Sequence, residues 1–237
     1  MINFGQILNE GVTISSSGTT GPAKDIFRDP QNLKEANKVA VEAQKISIDS
    51  KILTVTRMTH AGGLLAQSLP AFSIGAEVTV LKKFNPFTFL KNFQHYTHTF
   101  LAPAQMKALV NTKGFKECNL QGKRILGGSD PVSWEMIEAF VSKGAVVQPN
   151  WGMSEIGPIT INIEFSTMDQ VNYVKERCPD GYTIMGNEYY CDWKIVDHEL
   201  YVKGPTCIYD DWFPTGDVVA LDMGRRMYYL GRKECIG

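Results

Sequence analysis

The segment that decides the fold is Ser15-Ser16-Ser17-Gly18-Thr19-Thr20-Gly21-Pro22-Ala23-Lys24. Its two glycines let the backbone curl and expose its N–H groups, which makes a nest for an anion. The hydroxyls and the final lysine add donors for phosphate oxygens. It is not a Walker A loop, because Asp25 follows Lys24 and both flanks read as strands. We interpret the segment as a phosphate loop in a hairpin; the alternative is a flexible polar hairpin loop.

Strand and helix signals alternate after this loop. Asp29 and Pro30 predict an N-cap and a first-turn proline for a helix that ends at about Lys45. The apolar face of this helix consists of Leu33, Ala36, Ala40 and Ala43. Short β-rich runs then alternate with helical patterns up to residue 150. This alternation predicts an α/β fold in residues 1–156, with a mostly parallel sheet flanked by helices.

The sequence pattern of residues 157–237 differs from that of residues 1–156. Short β-rich runs are separated by turn signals such as Asp180-Gly181 and Gly204-Pro205. This pattern is typical of hairpins. We therefore predict a second, smaller antiparallel β-rich subdomain packed on the first region.

Composition excludes several classes of protein. The chain has 237 residues, of which 43% are hydrophobic, so it can bury a core and is not disordered. A net charge of −1 gives no reason to expect nucleic acid as a partner. We find no apolar run that could span a bilayer and no secretory signal, so we expect no membrane attachment. The five cysteines are scattered and never in C-x-x-C spacing, which favours a reducing, cytoplasmic location.

A second chemical segment is Asn150-Trp151-Gly152-Met153-Ser154-Glu155, which follows a buried-looking strand. In open α/β sheets, ligands bind at the carboxyl ends of parallel strands. A tryptophan can stack on a base, a serine can reach a phosphate and a glutamate can hold Mg²⁺. The alternative is an ordinary loop with a core tryptophan.

Three further segments contain residues that could bind a ribose, a base or a phosphate. In Thr215-Gly216-Asp217, an aspartate in a tight turn can accept hydrogen bonds from both ribose hydroxyls; the alternative is a plain hairpin turn. The glycines of Leu126–Pro131 can admit a planar base, or form a simple strand-to-helix turn. In Tyr229–Lys233, an arginine after a glycine turn can reach a ribose or phosphate, or belong to a solvated basic tail.

Together and in this order, the segments resemble the acyl-adenylate-forming superfamily, which includes acyl-CoA synthetases, luciferase-like enzymes and peptide-synthetase adenylation domains. The family's S-G-T-T-G-x-P-K loop is similar to SGTTGPAK here, with the proline one place early. Its aromatic-Gly-x-Thr-Glu segment is similar to WGMSE, and its T-G-D and Gly-Arg signatures match Thr215–Asp217 and Gly231-Arg232. Within the superfamily, the sequence pattern most resembles that of the o-succinylbenzoate–CoA ligases.

The resemblance implies binding of ATP and Mg²⁺, activation of a small carboxylic acid as an acyl-adenylate, and coenzyme A as a second substrate. It implies three catalytic residues, Lys24, Glu155 and His60, with Glu155 as the Mg²⁺ ligand and His60 at the border of the acid pocket. The implied nucleotide-binding residues are Ser16, Ser17, Gly18, Thr19, Thr20, Gly21, Lys24, Gly128, Ser129, Asn150, Trp151, Gly152, Met153, Ser154, Asp217 and Arg232.

The chain also departs from the family. Family members have a long region before the phosphate loop and a mobile C-terminal domain, which carries a catalytic lysine, after the Gly-Arg hinge. Here fourteen residues precede Ser15, and Cys235 replaces the usual second aspartate of the hinge. Three hypotheses follow: an adenylation core that uses a lysine-bearing partner protein, a nucleotide- or acyl-binding module without catalysis, or the large-domain fragment of a longer ligase. Uncovered sheet edges also make a homodimer a hypothesis.

Overall fold

The computed structural model describes residues 2–15 and 24–235, so the predicted phosphate-loop residues Ser16 to Gly21 lie outside the described residues. The helices of the described part are α1 (Phe4–Glu10), α2 (Pro30–Gln44), α3 (Ala61–Gly63), α4 (Leu69–Ser73), α5 (Pro86–Phe93), α6 (Pro103–Val110), α7 (Lys113–Glu117), α8 (Trp134–Val141) and α9 (Met168–Lys175). A π-helical segment, Leu64–Ser68, joins α3 to α4, and a 3₁₀ turn covers Lys233–Cys235.

The strands fall into a hairpin and two sheets. In chain order they are β1 (Val12–Ser15), β2 (Asp25–Arg28), β3 (Lys51–Thr54), β4 (Glu77–Val80), β5 (His98–Leu101), β6 (Arg124–Gly127), β7 (Val146–Met153), β8 (Gly157–Asn162), β9 (Thr183–Gly186), β10 (Glu188–Tyr189), β11 (Asp192–Val196), β12 (Glu199–Lys203), β13 (Phe213–Leu221) and β14 (Met227–Arg232). Strands β1 and β2 pair antiparallel. The prediction that both flanks of the phosphate loop are strands is confirmed.

The main sheet of the described chain has seven strands in the order β10-β8-β7-β6-β5-β3-β4. The five strands from β7 to β4 are parallel to their neighbours, whereas β8 and β10 are added antiparallel at one edge. Helices cover both faces. On one face Phe93 of α5 and Phe140 of α8 are buried in the largest core cluster, and on the other Ala40 of α2 packs with Leu126. The predicted α/β class is confirmed.

Helix α2 forms where its local signals place it. The Asp29 side chain accepts a hydrogen bond from the Asn32 backbone N–H at 2.8 Å, and Pro30 occupies the first turn. The helix ends at Lys45, whose φ of 55° is left-handed. The predicted apolar face is buried, with Leu33 and Ala40 fully inaccessible. The prediction for this helix is confirmed.

The second sheet is antiparallel and has the order β11-β12-β13-β14-β9 within residues 24–235. It holds its own core around Leu200, Val219 and Met227. Strand β8, which the sequence groups with this region, joins the main sheet instead because it pairs antiparallel with β7. The main sheet therefore continues past residue 156, and a division of the chain at that residue stays a prediction.

Three helices, α1, α7 and α9, are absent from the sequence-based expectations although local capping signals exist. Helix α9 begins with a capping box in which Thr167 and Gln170 exchange hydrogen bonds with each other's backbone. Helix α1 is capped by Asn3, whose side chain accepts a hydrogen bond from the Gln6 backbone N–H at 3.0 Å. No helix among residues 2–15 and 24–235 has both the length and the apolar character that crossing a bilayer requires.

Candidate functional site

A cleft of about 900 Å³ opens at the carboxyl ends of the parallel strands, beside the second sheet. It is the place where an open α/β sheet normally binds its ligand. Nine of the described residues expected in the site line it: Lys24, His60, Ser129, Asn150, Gly152, Met153, Ser154, Glu155 and Arg232. The structure thus brings together residues that lie far apart in the sequence.

The end of the β1–β2 hairpin at Ser15 and Lys24 forms one wall of the cleft. Ser15 and Lys24 flank the segment 16–23 and both line the cleft. The Ser15 hydroxyl donates to Asp25 Oδ1 at 2.7 Å, which ties the two strand ends together. His60, at the start of α3, places Nδ1 3.3 Å from the Ser15 carbonyl oxygen. The end of the hairpin at which Ser15 and Lys24 lie therefore faces the cleft, next to His60.

The Trp-Gly-Met part of the second segment is strand rather than loop. Strand β7 runs through Met153, and its pairing with β8 shifts between Trp151 and Met153, which marks a bulge at Gly152. A Cβ on Gly152 would overlap the Gly157 carbonyl oxygen, so only glycine fits there. The interpretation as a loop is wrong for these residues. The bulge sends the chain into the turn at Ser154 and Glu155, which faces the cleft.

The turn after β6 packs against the same strand. The Asn150 amide donates to the Gly127 carbonyl oxygen at 2.6 Å. Gly128 is buried against this amide, with no room for a Cβ, since the added atom would meet Asn150 Nδ2 at 2.5 Å. Ser129 has a φ of 75° and is exposed at the cleft. Asn150 and Ser129 thus line the cleft, and Gly128 packs against Asn150.

The Thr-Gly-Asp segment lies inside strand β13, not in a hairpin turn. Pairing with β12 breaks between Glu199 and Tyr201, and Gly216 has a φ of 73°, so the three residues form a bulge. The Thr215 hydroxyl donates to the Leu200 carbonyl oxygen at 2.8 Å and accepts from the Asp217 N–H at 3.1 Å. The expectation of a turn is corrected accordingly.

The carboxylate of Asp217 is held by Trp151 and Arg232. The residue is 2% exposed. Trp151 Nε1 donates to Oδ2 at 2.7 Å, and Arg232 Nε lies 3.1 Å from Oδ1. Burial raises the pKa of Asp217, and the Arg232 charge and the indole N–H oppose that rise. Of these three residues, Arg232 lines the cleft, whereas Asp217 and Trp151 do not.

Arg232 is the last residue of β14 rather than part of a tail. It stands directly opposite Asp217 in the β13–β14 register, which explains their ion pair. Its Nη1 also donates to the Thr215 carbonyl oxygen at 2.5 Å. The next residue, Lys233, is exposed and pairs with Glu199 at 2.9 Å. The reading of this segment as a glycine turn or a basic tail is therefore wrong for Arg232.

Sequence reasoning missed Arg28, the last residue of β2. Its guanidinium is fully buried and donates to the Ser154 carbonyl oxygen at 3.0 Å and to the Thr206 carbonyl oxygen. These partners are 126 and 178 residues away in sequence, so no local pattern predicts them. Arg28 connects the β1–β2 hairpin with the Ser154–Glu155 turn.

The charges around the cleft suit a polyanion with a divalent cation. Five cationic side chains line it, namely Lys24, Arg57, Lys82, Lys83 and Arg232, against the carboxylates Glu155 and Glu234. No cluster of three or more His, Cys, Asp or Glu residues occurs in the described ranges, so Glu155 is not part of an all-protein metal cage. Magnesium is commonly held by one or two carboxylates together with substrate phosphates, and one carboxylate fits that pattern.

Comparison with known proteins gives a consistent family. The profile described as AMP-binding enzyme matches residues 12–207. The indoleacetate–CoA ligase of Aromatoleum aromaticum is 25% identical in an alignment of 239 positions, gaps included. The alignment covers 92% of this chain and 47% of that protein. A 2-succinylbenzoate–CoA ligase of Staphylococcus aureus is 27% identical over 243 residues, covering 93% and 47%. The chain spans about half the length of the curated relatives it matches.

Solved structures show the same fold. ATP-bound MatB from Rhodopseudomonas palustris aligns with a TM-score of 0.77 at 20% identity, over 93% of this chain and 48% of MatB. The o-succinylbenzoate coenzyme A synthetase MenE from Bacillus subtilis, in complex with ATP and magnesium ion, aligns with a TM-score of 0.77 at 21% identity, over 94% and 50%. At these identities the likeness establishes the architecture.

Proposed function

This chain belongs to the AMP-binding enzyme family, and on that premise we propose that it joins ATP and a carboxylic acid as an acyl-adenylate. The observation that carries the proposal is the single cleft in which Lys24, Ser154, Glu155 and Arg232 meet. A nucleotide there would have its triphosphate near the hairpin and its ribose near Arg232. The relatives named as CoA ligases and the ATP-bound neighbours support the same reaction class.

The reaction requires that the substrate carboxylate and the α-phosphorus be positioned for attack and that the negative charge of the phosphates be neutralised. An oxygen of the substrate carboxylate attacks the α-phosphorus in line, the bond from that phosphorus to the bridging oxygen breaks, and pyrophosphate leaves with the electron pair. Lys24 and the hairpin loop would hold the β- and γ-phosphates, and Ser154 would face the α-phosphate. Such fixed charges and donors lower the barrier without covalent participation by the protein.

Magnesium, when bound, would neutralise charge on the phosphates as pyrophosphate departs, and Glu155 is the residue that would hold it. His60 stands beside the hairpin at the entrance to α3. We assign it to the border of the acid pocket. Asn150, Gly128 and Ser129 would line the adenine subsite with Trp151, Gly152 and Met153, and Asp217 would receive the ribose hydroxyls.

A thioester step would follow in a complete ligase. The relatives' names imply coenzyme A as the thiol. We propose that a lysine-bearing C-terminal domain, supplied by a longer chain or by a partner protein, takes part in that step. Self-association through an uncovered sheet edge is a separate proposal. We expect all of this chemistry to take place in the cytoplasm.

Acid-dependent exchange of labelled pyrophosphate into ATP tests the proposed function. We expect the wild type to exchange with at least one acid of a carboxylate panel. Glu155→Gln should lower the rate by tenfold or more at fixed Mg²⁺, whereas Glu117→Gln, at an exposed site on α7, should not. A wild type that binds ATP but never exchanges, with or without an added C-terminal domain, would rule out the adenylation reaction.

A second function is favoured by one observation. The Asp217 carboxylate is buried and both of its oxygens are engaged, by Trp151 and by Arg232. Contacts that keep Asp217 from the ribose would leave a bound nucleotide out of line for attack on its α-phosphorus, so they favour a nucleotide- or acyl-binding module that has lost catalysis. ATP binding without any exchange is the result that distinguishes this module from the enzyme.

A further inference from the structure

The strongest unassigned feature outside the expected site residues is the buried guanidinium of Arg28. It is fully inaccessible and is the largest such side chain in the described part of the protein. It lies four residues after Lys24, opposite Val12 in the hairpin register. It therefore anchors the hairpin that carries the segment 16–23.

Arg28 meets three separate parts of the chain. Its Nε donates to Asn32 Oδ1 at 2.9 Å, its Nη1 to the Ser154 carbonyl oxygen at 3.0 Å and its Nη2 to the Thr206 carbonyl oxygen. Asn32 continues the network, because its amide donates to the Cys207 carbonyl oxygen at 3.1 Å. The hairpin, the turn after β7 and the segment before β13 are thereby held in one arrangement.

The charge of Arg28 is retained although it is buried. Among the ion pairs of residues 2–15 and 24–235, none involves Arg28. Burial lowers its pKa to about 10, and Cys207, Glu155 and Asp29 oppose that shift. The group is therefore protonated at neutral pH. A buried charge without an ion-pair partner costs desolvation free energy, so we expect Arg28 to have a role beyond packing.

The position of this charge suggests the role. A guanidinium that donates to the Ser154 carbonyl polarises the peptide joining Ser154 to Glu155, and both residues line the cleft. The positive potential then acts on the side where an α-phosphate is expected. The neutral carbonyl acceptors do not cancel that charge, and the nearby carboxylates of Glu155 and Asp29 offset only part of it.

We propose that Arg28 is a positioning residue that fixes the Ser154–Glu155 turn against the β1–β2 hairpin and adds positive potential to the α-phosphate subsite. This rests on the proposed nucleotide-binding function. It predicts an effect that depends on the phosphate, because a purely structural anchor would weaken every ligand of the cleft alike.

The test compares the affinities of AMP and adenosine by isothermal titration. The wild type should bind AMP more tightly than adenosine. Arg28→Met should reduce this AMP-over-adenosine ratio by tenfold or more, and Arg28→Lys should retain most of it. Arg124→Met is the matched control, since Arg124 pairs with Glu164 at 2.7 Å, at the opposite end of the main sheet, and should leave the ratio unchanged.

Two further outcomes decide the proposal. If Arg28→Met does not fold, Arg28→Gln and Arg28→Lys replace it, because both can donate to the carbonyls and only lysine keeps the charge. Equal ratios in those two variants, or a folded Arg28→Met with the wild-type ratio, would overturn the role of Arg28 and leave the proposed function standing. A wild type that binds neither ligand would remove the proposed function itself.

Discussion

The indole nitrogen of Trp151 lies 2.7 Å from Asp217 Oδ2 and donates a hydrogen bond to it. The two residues belong to different sheets, and Asp217 is almost completely buried. The contact therefore joins two segments that the sequence predicts to share one nucleotide. Arg232 holds the other carboxylate oxygen, so the orientation of Asp217 is set by both partners.

Removing the indole donor should destabilise the protein. Trp151→Phe keeps an aromatic ring but leaves Asp217 Oδ2 buried without its donor. We expect the free energy of unfolding to fall by about 1.5–3 kcal/mol, the usual range for a hydrogen bond to a charged group. Urea denaturation measures this. Trp193→Phe, in the same β-rich core, is the control and should cost less; equal losses would contradict the role of the indole N–H.

The bulge at Gly152 should not tolerate a side chain. A Cβ there would lie 2.9 Å from Pro158 Cα and would overlap the Gly157 carbonyl oxygen. Gly152→Ala should therefore destabilise the protein by about 1–3 kcal/mol. Gly114→Ala should act in the opposite direction, by about 0.5–1 kcal/mol, because its Cβ makes an ordinary 3.7 Å contact and helix α7 gains propensity. Thermal unfolding distinguishes the two signs.

Buried His98 should make stability depend on acid pH. Burial lowers its pKa from 6.5 to about 4, and its Nε2 lies 3.2 Å from the Gln44 carbonyl oxygen. Since the unfolded chain binds this proton more readily, the folded state loses stability as the pH falls from about 6.5 to 4. The full loss is of the order of 3 kcal/mol.

The measurement is urea denaturation across this pH range for the wild type, His98→Gln and His95→Gln. His98→Gln should flatten the pH dependence, while His95→Gln, at an exposed position, should leave it in place. If all three proteins show the same slope between pH 6.5 and 4, His98 is not the responsible group.

Local signals predicted much of the fold and only part of the site. Helix α2 was predictable because Asp29, Pro30 and its apolar face act within a few residues of each other. Local patterns do not predict the bulges at Gly152 and Gly216, since their hydrogen bonds depend on strands that lie elsewhere in the chain. The role of Arg28 could not be predicted for the same reason, because tertiary packing determines which carbonyl groups it contacts.

The central claim is that one nucleotide lies between the hairpin near Lys24 and the bulge near Asp217. Titration of ATP and adenosine into the wild type, Lys24→Ala and Asp217→Asn tests it most directly, with Lys34→Ala, at an exposed position on α2, as the control. Lys24→Ala should weaken ATP by about 10- to 100-fold and leave adenosine unchanged, because it removes a charged contact to phosphate. Asp217→Asn should weaken both ligands. If both variants bind ATP as tightly as the wild type, the nucleotide does not occupy this cleft.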